Sequence, residues 1–292
     1  MSKVQIITDS NSGINQIAAK QLGIKVVPMP FTINGEEYLE NITITQDKFY
    51  ELLLNNPEIN TSQPSPGYLQ DLWDETLEKY DEIVFIPMSS GLSGTCSSAI
   101  SLAESYNGKV QVVDNKRISV TQKESVYEAI ELAKRGKSAK EIKEYLEKTK
   151  DQASIYIMLT TLKYLKKGGR ISPAAAALGS MLKIKPILST RGGKFEKHSM
   201  ALATGQGKMK MIQQIKNELE KEFKEEYENG KMVVSVAHTR NLVEANKFKE
   251  EIQKKFPKLT FRFIDPLSLS VSCHIGPGAL AIAISVNNFL ND

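Results

Sequence analysis

Glu82-Ile83-Val84-Phe85-Ile86-Pro87-Met88-Ser89-Ser90-Gly91-Leu92-Ser93-Gly94-Thr95 is the stretch on which the fold turns. Glu82–Pro87 is a short apolar run of the kind found in a strand buried on both faces. The hydroxyl- and glycine-rich residues after it are turn chemistry, and Thr95–Tyr106 reads as a helix. The same order recurs toward the amino terminus. Val4–Thr8 is a strand, Asp9-Ser10-Asn11-Ser12-Gly13 a turn, Ile14–Gln21 a helix and Ile24–Met29 a second strand. Phe31–Tyr38 reads as a small hairpin around Asn34-Gly35. Thr45 can cap a helix at Gln46–Leu54, and Ser65-Pro66 opens one at Pro66–Lys79. With Lys109–Val113 as a further strand, strands separated by single helices predict a parallel sheet with right-handed crossovers.

Two helical segments, Ser119–Arg135 and Ser138–Lys150, lead into a second unit. There Ser154–Thr160 reads as a strand and Pro173–Leu182 as a short alanine-rich helix. Ile184–Ser189 and Lys194–His198 flank Arg191-Gly192-Gly193 as a hairpin. Gly207–Glu228 is a charged helix whose lysines and glutamates read as a solvated face. Met232–Ala237, Leu242–Phe256, Thr260–Ile264 and Ala279–Leu290 close the chain as strand, helix, strand, helix. The domains expected from this pattern are residues 1–152 and 153–292.

Composition narrows the function classes. A chain of 292 residues is near the size where a single core stops growing. A hydrophobic fraction of 41% and a charged fraction of 25% exclude disorder as the main state. Lysine and arginine outnumber aspartate and glutamate by 38 to 34, too mild a surplus to imply nucleic acid. No stretch approaches the roughly 18 apolar residues of a membrane helix. Val4–Ile7 ends at Asp9, too short for a signal sequence, so a cytoplasmic protein without membrane insertion is expected. Two cysteines and three histidines without metal-ligand spacing predict no metal and no cofactor.

Four segments can carry chemistry. Thr61-Ser62-Gln63-Pro64-Ser65-Pro66 and Ser89–Thr95 are hydroxyl-rich loops that open helices. At the carboxyl ends of parallel strands, such loops offer hydroxyls and unpaired N–H groups to a carboxylate or phosphate. Serines before helices also serve as plain caps, and glycines in such loops as plain turns. Lys166-Lys167-Gly168-Gly169-Arg170-Ile171-Ser172, with Lys163 nearby, is a basic Gly-Gly loop suited to an acidic ligand or partner, or to a solvated turn. Ser272-Cys273-His274-Ile275-Gly276-Pro277-Gly278 reads as a glycine-rich lead into a helix, with His274 as an anion donor. His238-Thr239-Arg240-Asn241 follows a strand end in the same way, whereas His198 has no supporting context. There is no GxxxxGK[ST] loop and no GxGxxG after a strand. A serine hydrolase with Ser93 and His274 is the alternative, though Gly91-Leu92-Ser93-Gly94 is one residue short of the GxSxG elbow.

Taken together these segments resemble the DegV family. The resemblance runs through Ile7-Thr8-Asp9-Ser10, Thr61–Gly67, Ser89–Thr95, Leu165–Ser172, Ile184–Leu188 and His274–Ala279, in family order. It implies an α/β fold of two domains, a parallel-sheet Rossmann-like amino-terminal one and a mixed-sheet carboxy-terminal one, enclosing a lipid tunnel. It implies a long-chain fatty acid such as palmitate as ligand, bound by a protein that is not itself an enzyme. In the fatty-acid kinase system the acid is presented to a separate kinase subunit, which makes an acyl phosphate for phospholipid synthesis. The family's carboxylate contacts carry over onto Thr61 and Ser93, with Ser62, Gly94, Thr95 and His274 nearby. Its partner-docking arginine carries over onto Arg170, with Lys167 beside it. A monomer is expected. Ala281, where the resemblance leads one to expect a glycine in many relatives, and Cys273 depart from the family pattern.

Overall fold

The computed structural model describes residues 2–177 and 184–290. The chain divides into two compact units, Met1–Asp151 and Gln152–Asp292.

In chain order the strands of the first unit are β1 (Val4–Asp9), β2 (Lys25–Val27), β3 (Pro30–Ile33), β4 (Glu36–Leu39), β5 (Ile59–Thr61), β6 (Glu82–Ile86) and β7 (Val110–Val112). One sheet has the order β2-β1-β6-β7, and every pairing in it is parallel. Its strands are buried on both faces, which is why they read as continuous apolar runs. Helices Pro66–Leu77 and Thr95–Ala103 bring Leu69, Trp73, Cys96 and Ala99 onto Ile7, Ile83 and Phe85. Ser65 accepts the N–H of Tyr68 and Pro66 occupies the first turn, the start expected from the Ser-Pro pair. Glu128 of helix Val120–Lys134 pairs with Arg117, which precedes the helix, at 3.5 Å, and both side chains are fully buried. Arg117 also donates to Ser125 Oγ and the Thr149 carbonyl, so much of its guanidinium is bonded.

The second sheet of this unit, β4-β3-β5, is antiparallel. Asn34 and Gly35 turn its hairpin with φ of 51° and 85°, both in the left-handed region such a two-residue loop demands. Strand β5 has no counterpart in the sequence reading, because three residues are too few to display a period.

The second unit contains β8 (Ala153–Met158), β9 (Lys185–Thr190), β10 (Glu196–Ala201), β11 (Met232–His238), β12 (Thr260–Pro266) and β13 (Leu280–Val286). Their order is β10-β9-β8-β13-β11-β12, with β11 and β12 parallel and the remaining pairs antiparallel. Its core joins Met211, Ile215, Phe248, Val236 and Ile282.

Three expectations are corrected here. The helix expected at Ala279–Leu290 is strand β13, a central strand with all seven residues buried. With both faces apolar, polarity does not alternate and the period is invisible. The helix expected at Gly207–Glu228 is two helices, Thr204–Glu220 and Lys224–Glu228, and Phe223 between them enters the core. Its charged face is only partly solvated. Buried Glu218 accepts from the Ser154 and Tyr156 hydroxyls, and buried Lys208 joins Glu244 and Glu251. Finally, helix Pro173–Ala176 is present where Pro173–Leu182 was expected, and residues 178–183 of that stretch lie outside the described residues. Among the described residues, no helix is long and apolar enough to cross a membrane.

Candidate functional site

In the first unit the chain leaves β1 for β2 on one side and returns in β6 on the other. That makes the carboxyl ends of β1 and β6 the switch point of the sheet, where open parallel sheets bind ligands. Beyond β6, the N–H of Met88 donates to Asp9 Oδ2 at 2.8 Å and that of Ser89 to the Arg117 carbonyl at 3.0 Å. The Ser89 carbonyl then accepts the N–H groups of Leu92 and Ser93, both at 3.1 Å. Ser90 Oγ donates to Asp114 Oδ2 at 2.6 Å. The loop is therefore a built turn, held at several points.

Ser93 and Thr95 come together at its end. Their hydroxyls lie 2.9 Å apart, and Ser93 Oγ accepts the Thr95 N–H at 3.2 Å. Helix Thr95–Ala103 starts at Gly94 without a side-chain cap on that residue, so its first turn adds donors and a partial positive charge. The other hydroxyl loop starts on a different kind of element. Thr61 is the last residue of β5, paired with Phe31 of β3, and the Ser62 N–H donates to the Pro30 carbonyl at 3.2 Å. Gln63 joins the two loops. Its Oε1 accepts from Ser98 Oγ at 3.1 Å, and a Cβ on Gly94 would lie 3.1 Å from the same atom. Thr61, Ser62, Ser93, Gly94 and Thr95 thus belong to two loops in contact. Gln63 was missed because one glutamine in a polar loop carries no sequence signal. Among the described residues, the Ser93 hydroxyl shares hydrogen bonds with Thr95 and not with a base.

In the second unit His274 lies in the last turn of the helix Leu269–Ile275, which is followed by strand β13. The expected helix N-terminus after His274 is absent, and with it the dipole argument for an anion there. What the histidine has instead is Gly168. A Cβ at Gly168 would sit 2.0 Å from His274 Nδ1, so the ring occupies the space a side chain would need. The basic segment is more ordered than a glycine-rich loop suggests. Lys163–Gly168 is a helix that Gly169 ends in the left-handed conformation, φ 69°. Lys167 lies in its last turn, exposed, and Arg170 Nη1 donates back to the Gly168 carbonyl at 2.5 Å. Burial, together with the Arg170 charge, lowers the His274 pKa to about 4, so the imidazole is neutral at pH 7. A neutral imidazole offers one donor and one acceptor.

The segment His238–Asn241 braces this assembly. Thr239 Oγ1 donates to the Gly276 carbonyl at 2.6 Å and accepts the Ala279 N–H at 2.8 Å. Asn241 Nδ2 donates to the Gly278 carbonyl at 3.2 Å, and His238 Nδ1 accepts the Asn241 N–H at 3.2 Å. His198 stands edge-on to Tyr156 with centroids 4.8 Å apart.

The buried titratable groups set opposite pH responses in the two units. Burial raises Asp9 to about 6 and Glu128 to about 7, so the folded first unit keeps protons that the unfolded chain releases. Their contribution to stability is fully present only below the ordinary carboxyl pKa values of 3.8 and 4.5 and is lost as pH rises through 6 to 7. Burial lowers His274, His238 and His198, so the second unit's contribution is present above pH 6.5 and lost on acidification. For Asp9, Glu128 and His274 each fully expressed shift is worth on the order of 3 kcal/mol. Amide exchange corrected for intrinsic rates is expected to show unit one gaining protection and unit two losing it from pH 7.5 to 5. Parallel changes in both units would contradict it.

A family model described as an uncharacterised protein of the DegV family matches residues 3–287. Protein DegV of Bacillus subtilis is 33% identical over 285 residues, covering 96% of this chain and 98% of that protein. A DegV domain-containing protein of Staphylococcus aureus is 30% identical, covering 97% of this chain and 99% of its own. Among solved structures, DegV of Bacillus subtilis, described as a fatty acid binding protein, matches with TM-score 0.83 and 30% identity, covering 98% and 100% of the two chains. A DegV family protein from Thermus thermophilus, described with its fatty acid binding, matches with TM-score 0.87 and 26% identity, covering 97% and 99%.

Proposed function

Since this chain belongs to the DegV family, we propose that it binds one long-chain fatty acid and presents its carboxylate to a separate fatty acid kinase subunit. The observation that carries this is the joined pair of hydroxyl loops at the switch point of the parallel sheet. Thr61 and Ser93 donate to the carboxylate, with Ser62, Gly94 and Thr95 alongside. In the second unit, neutral His274 is a donor suited to the same chemical group. Hydroxyls orient a carboxylate without neutralising it, which keeps it nucleophilic.

The acyl chain supplies most of the affinity. About 14 methylenes at roughly 0.8 kcal/mol each give on the order of 11 kcal/mol before ordering costs. Hydrogen bonds to the carboxylate fix its direction. The kinase subunit docks on Arg170 and Lys167 and holds a nucleoside triphosphate. A carboxylate oxygen attacks the terminal phosphorus, the bond to the departing diphosphate breaks, and the acyl phosphate goes to phospholipid synthesis in the cytoplasm. This chain provides no catalytic group in that transfer.

Native mass spectrometry after expression in lipid-replete cells is expected to show one fatty acid per chain, released by organic solvent and identifiable by mass. Ligand-free protein alone would count against the binding function.

A further inference from the structure

Asp9 is fully buried at the end of β1, with no place in the chemistry above. Its carboxylate accepts hydrogen bonds that lead to different parts of the unit. Oδ2 accepts the Met88 N–H at 2.8 Å. One residue further, the Ser89 carbonyl carries the amides of Leu92 and Ser93, so this arm ends at the backbone of Ser93. Oδ1 accepts the Asn11 N–H at 3.0 Å and closes the turn Ser10–Ser12. From that turn Ser10 Oγ accepts the Met29 N–H at 3.1 Å. The next residue, Pro30, accepts the Ser62 N–H through its carbonyl, and Phe31 pairs with Thr61. This second arm ends at Thr61 and Ser62. Gln122 Nε2 donates to Oδ1 at 3.0 Å and ties the carboxylate to helix Val120–Lys134.

We propose that Asp9 is the positioning residue of the head-group site: one buried carboxylate, through two short chains of hydrogen bonds, sets Thr61 and Ser93 relative to each other. The inference rests on the proposed function, in which those two hydroxyls hold the carboxylate. A neutral side chain of the same shape cannot replace it. An amide in the place of the carboxylate turns one acceptor into a donor, which then faces the N–H of Met88 or of Asn11. Either way one arm is released while the sheet around it stays paired.

Palmitate and 1-hexadecanol, titrated into the full-length protein, distinguish positioning from plain stability, because both bury the same chain and only one carries a carboxylate. Asp9→Asn is expected to weaken palmitate about tenfold and hexadecanol less than about twofold. In a Thr61→Ala/Ser93→Ala background it is expected to add less than about twofold to the palmitate loss, since its effect passes through those hydroxyls. Ser10→Ala cuts only the Thr61 arm, and is expected to cost palmitate about threefold with hexadecanol unchanged. Equal losses for the two probes, or a full additional loss in the double-alanine background, would overturn the role of Asp9. Should Asp9→Asn fail to fold, Ser10→Ala decides, and the absence of a palmitate-selective loss there overturns the role. A wild-type protein that binds neither probe refutes the binding function itself; one that binds palmitate while the variants show no selectivity refutes only the positioning.

Discussion

Replacing Thr61 and Ser93 together by alanine is expected to lower fatty-acid affinity by about two to four orders of magnitude while leaving the fold intact. In the proposed site each hydroxyl donates to a charged acceptor, a bond worth roughly 1.5–3 kcal/mol when its loss leaves the carboxylate underpaired. Neither side chain supports the core. Both are only half-buried, Thr61 ends a three-residue strand, and Ser93 bonds chiefly to Thr95 beside it. The single variants should each cost about one to two orders, with Ser93→Ala the milder, because the freed Thr95 hydroxyl can turn toward the ligand. Calorimetric or fluorescence titration with palmitate measures the loss, and the melting temperature reports the fold. Unchanged affinity in the double variant would place the head group elsewhere.

Charge reversal at Arg170 is the second large effect, and it should separate binding from presentation. Arg170 follows a helix that ends at Gly169, and its Nη1 rests on the Gly168 carbonyl. A guanidinium held in this way presents a planar fork to a carboxylate or phosphate on a partner. Arg170→Glu is expected to cut kinase-dependent acyl phosphate formation by at least about a hundredfold, since it replaces attraction by like-charge repulsion. Arg170→Lys should restore only part, because an ammonium lacks the fork. Fatty-acid affinity should stay within about threefold of wild type. The binding assay belongs at pH 8, because removing the Arg170 charge also relieves one of the two causes that hold the His274 pKa down. At pH 8 the imidazole is neutral in either protein. Equal losses of binding and of phosphorylation would assign Arg170 to the lipid site or to the fold.

Much of this molecule was legible before any coordinates. The Ser65-Pro66 start, the Thr45 cap, the Asn34-Gly35 turn and the parallel strands of the first unit follow from local rules, and all are present. Local rules work there because a cap or a tight turn is decided by atoms a few residues apart. The two hydroxyl loops were visible for the same reason, as runs of serine, threonine and glycine beside apolar strands. Strand β13 was not. Its seven buried residues have neighbours from β8 and β11, more than a hundred and some fifty residues back, and no local period records that company.

The local chemistry of Thr61, Ser93, His274 and Arg170, hydroxyl, imidazole and guanidinium at turns, was determined by the sequence itself. Which of them meet, and in what state, was decided by the tertiary structure. Gln63 reaches Ser98 across 35 positions, and Asp9 reaches Met88 across 79 and Gln122 across 113. In the sequence Gly168 read as part of a basic Gly-Gly loop, yet its missing side chain is the space that His274 fills. His274 is neutral at pH 7 only because folding takes it out of water and sets it near the Arg170 charge. Desolvation, long-range hydrogen bonding and close packing depend on atoms brought together from distant parts of the chain, so they come into being only when the chain has folded.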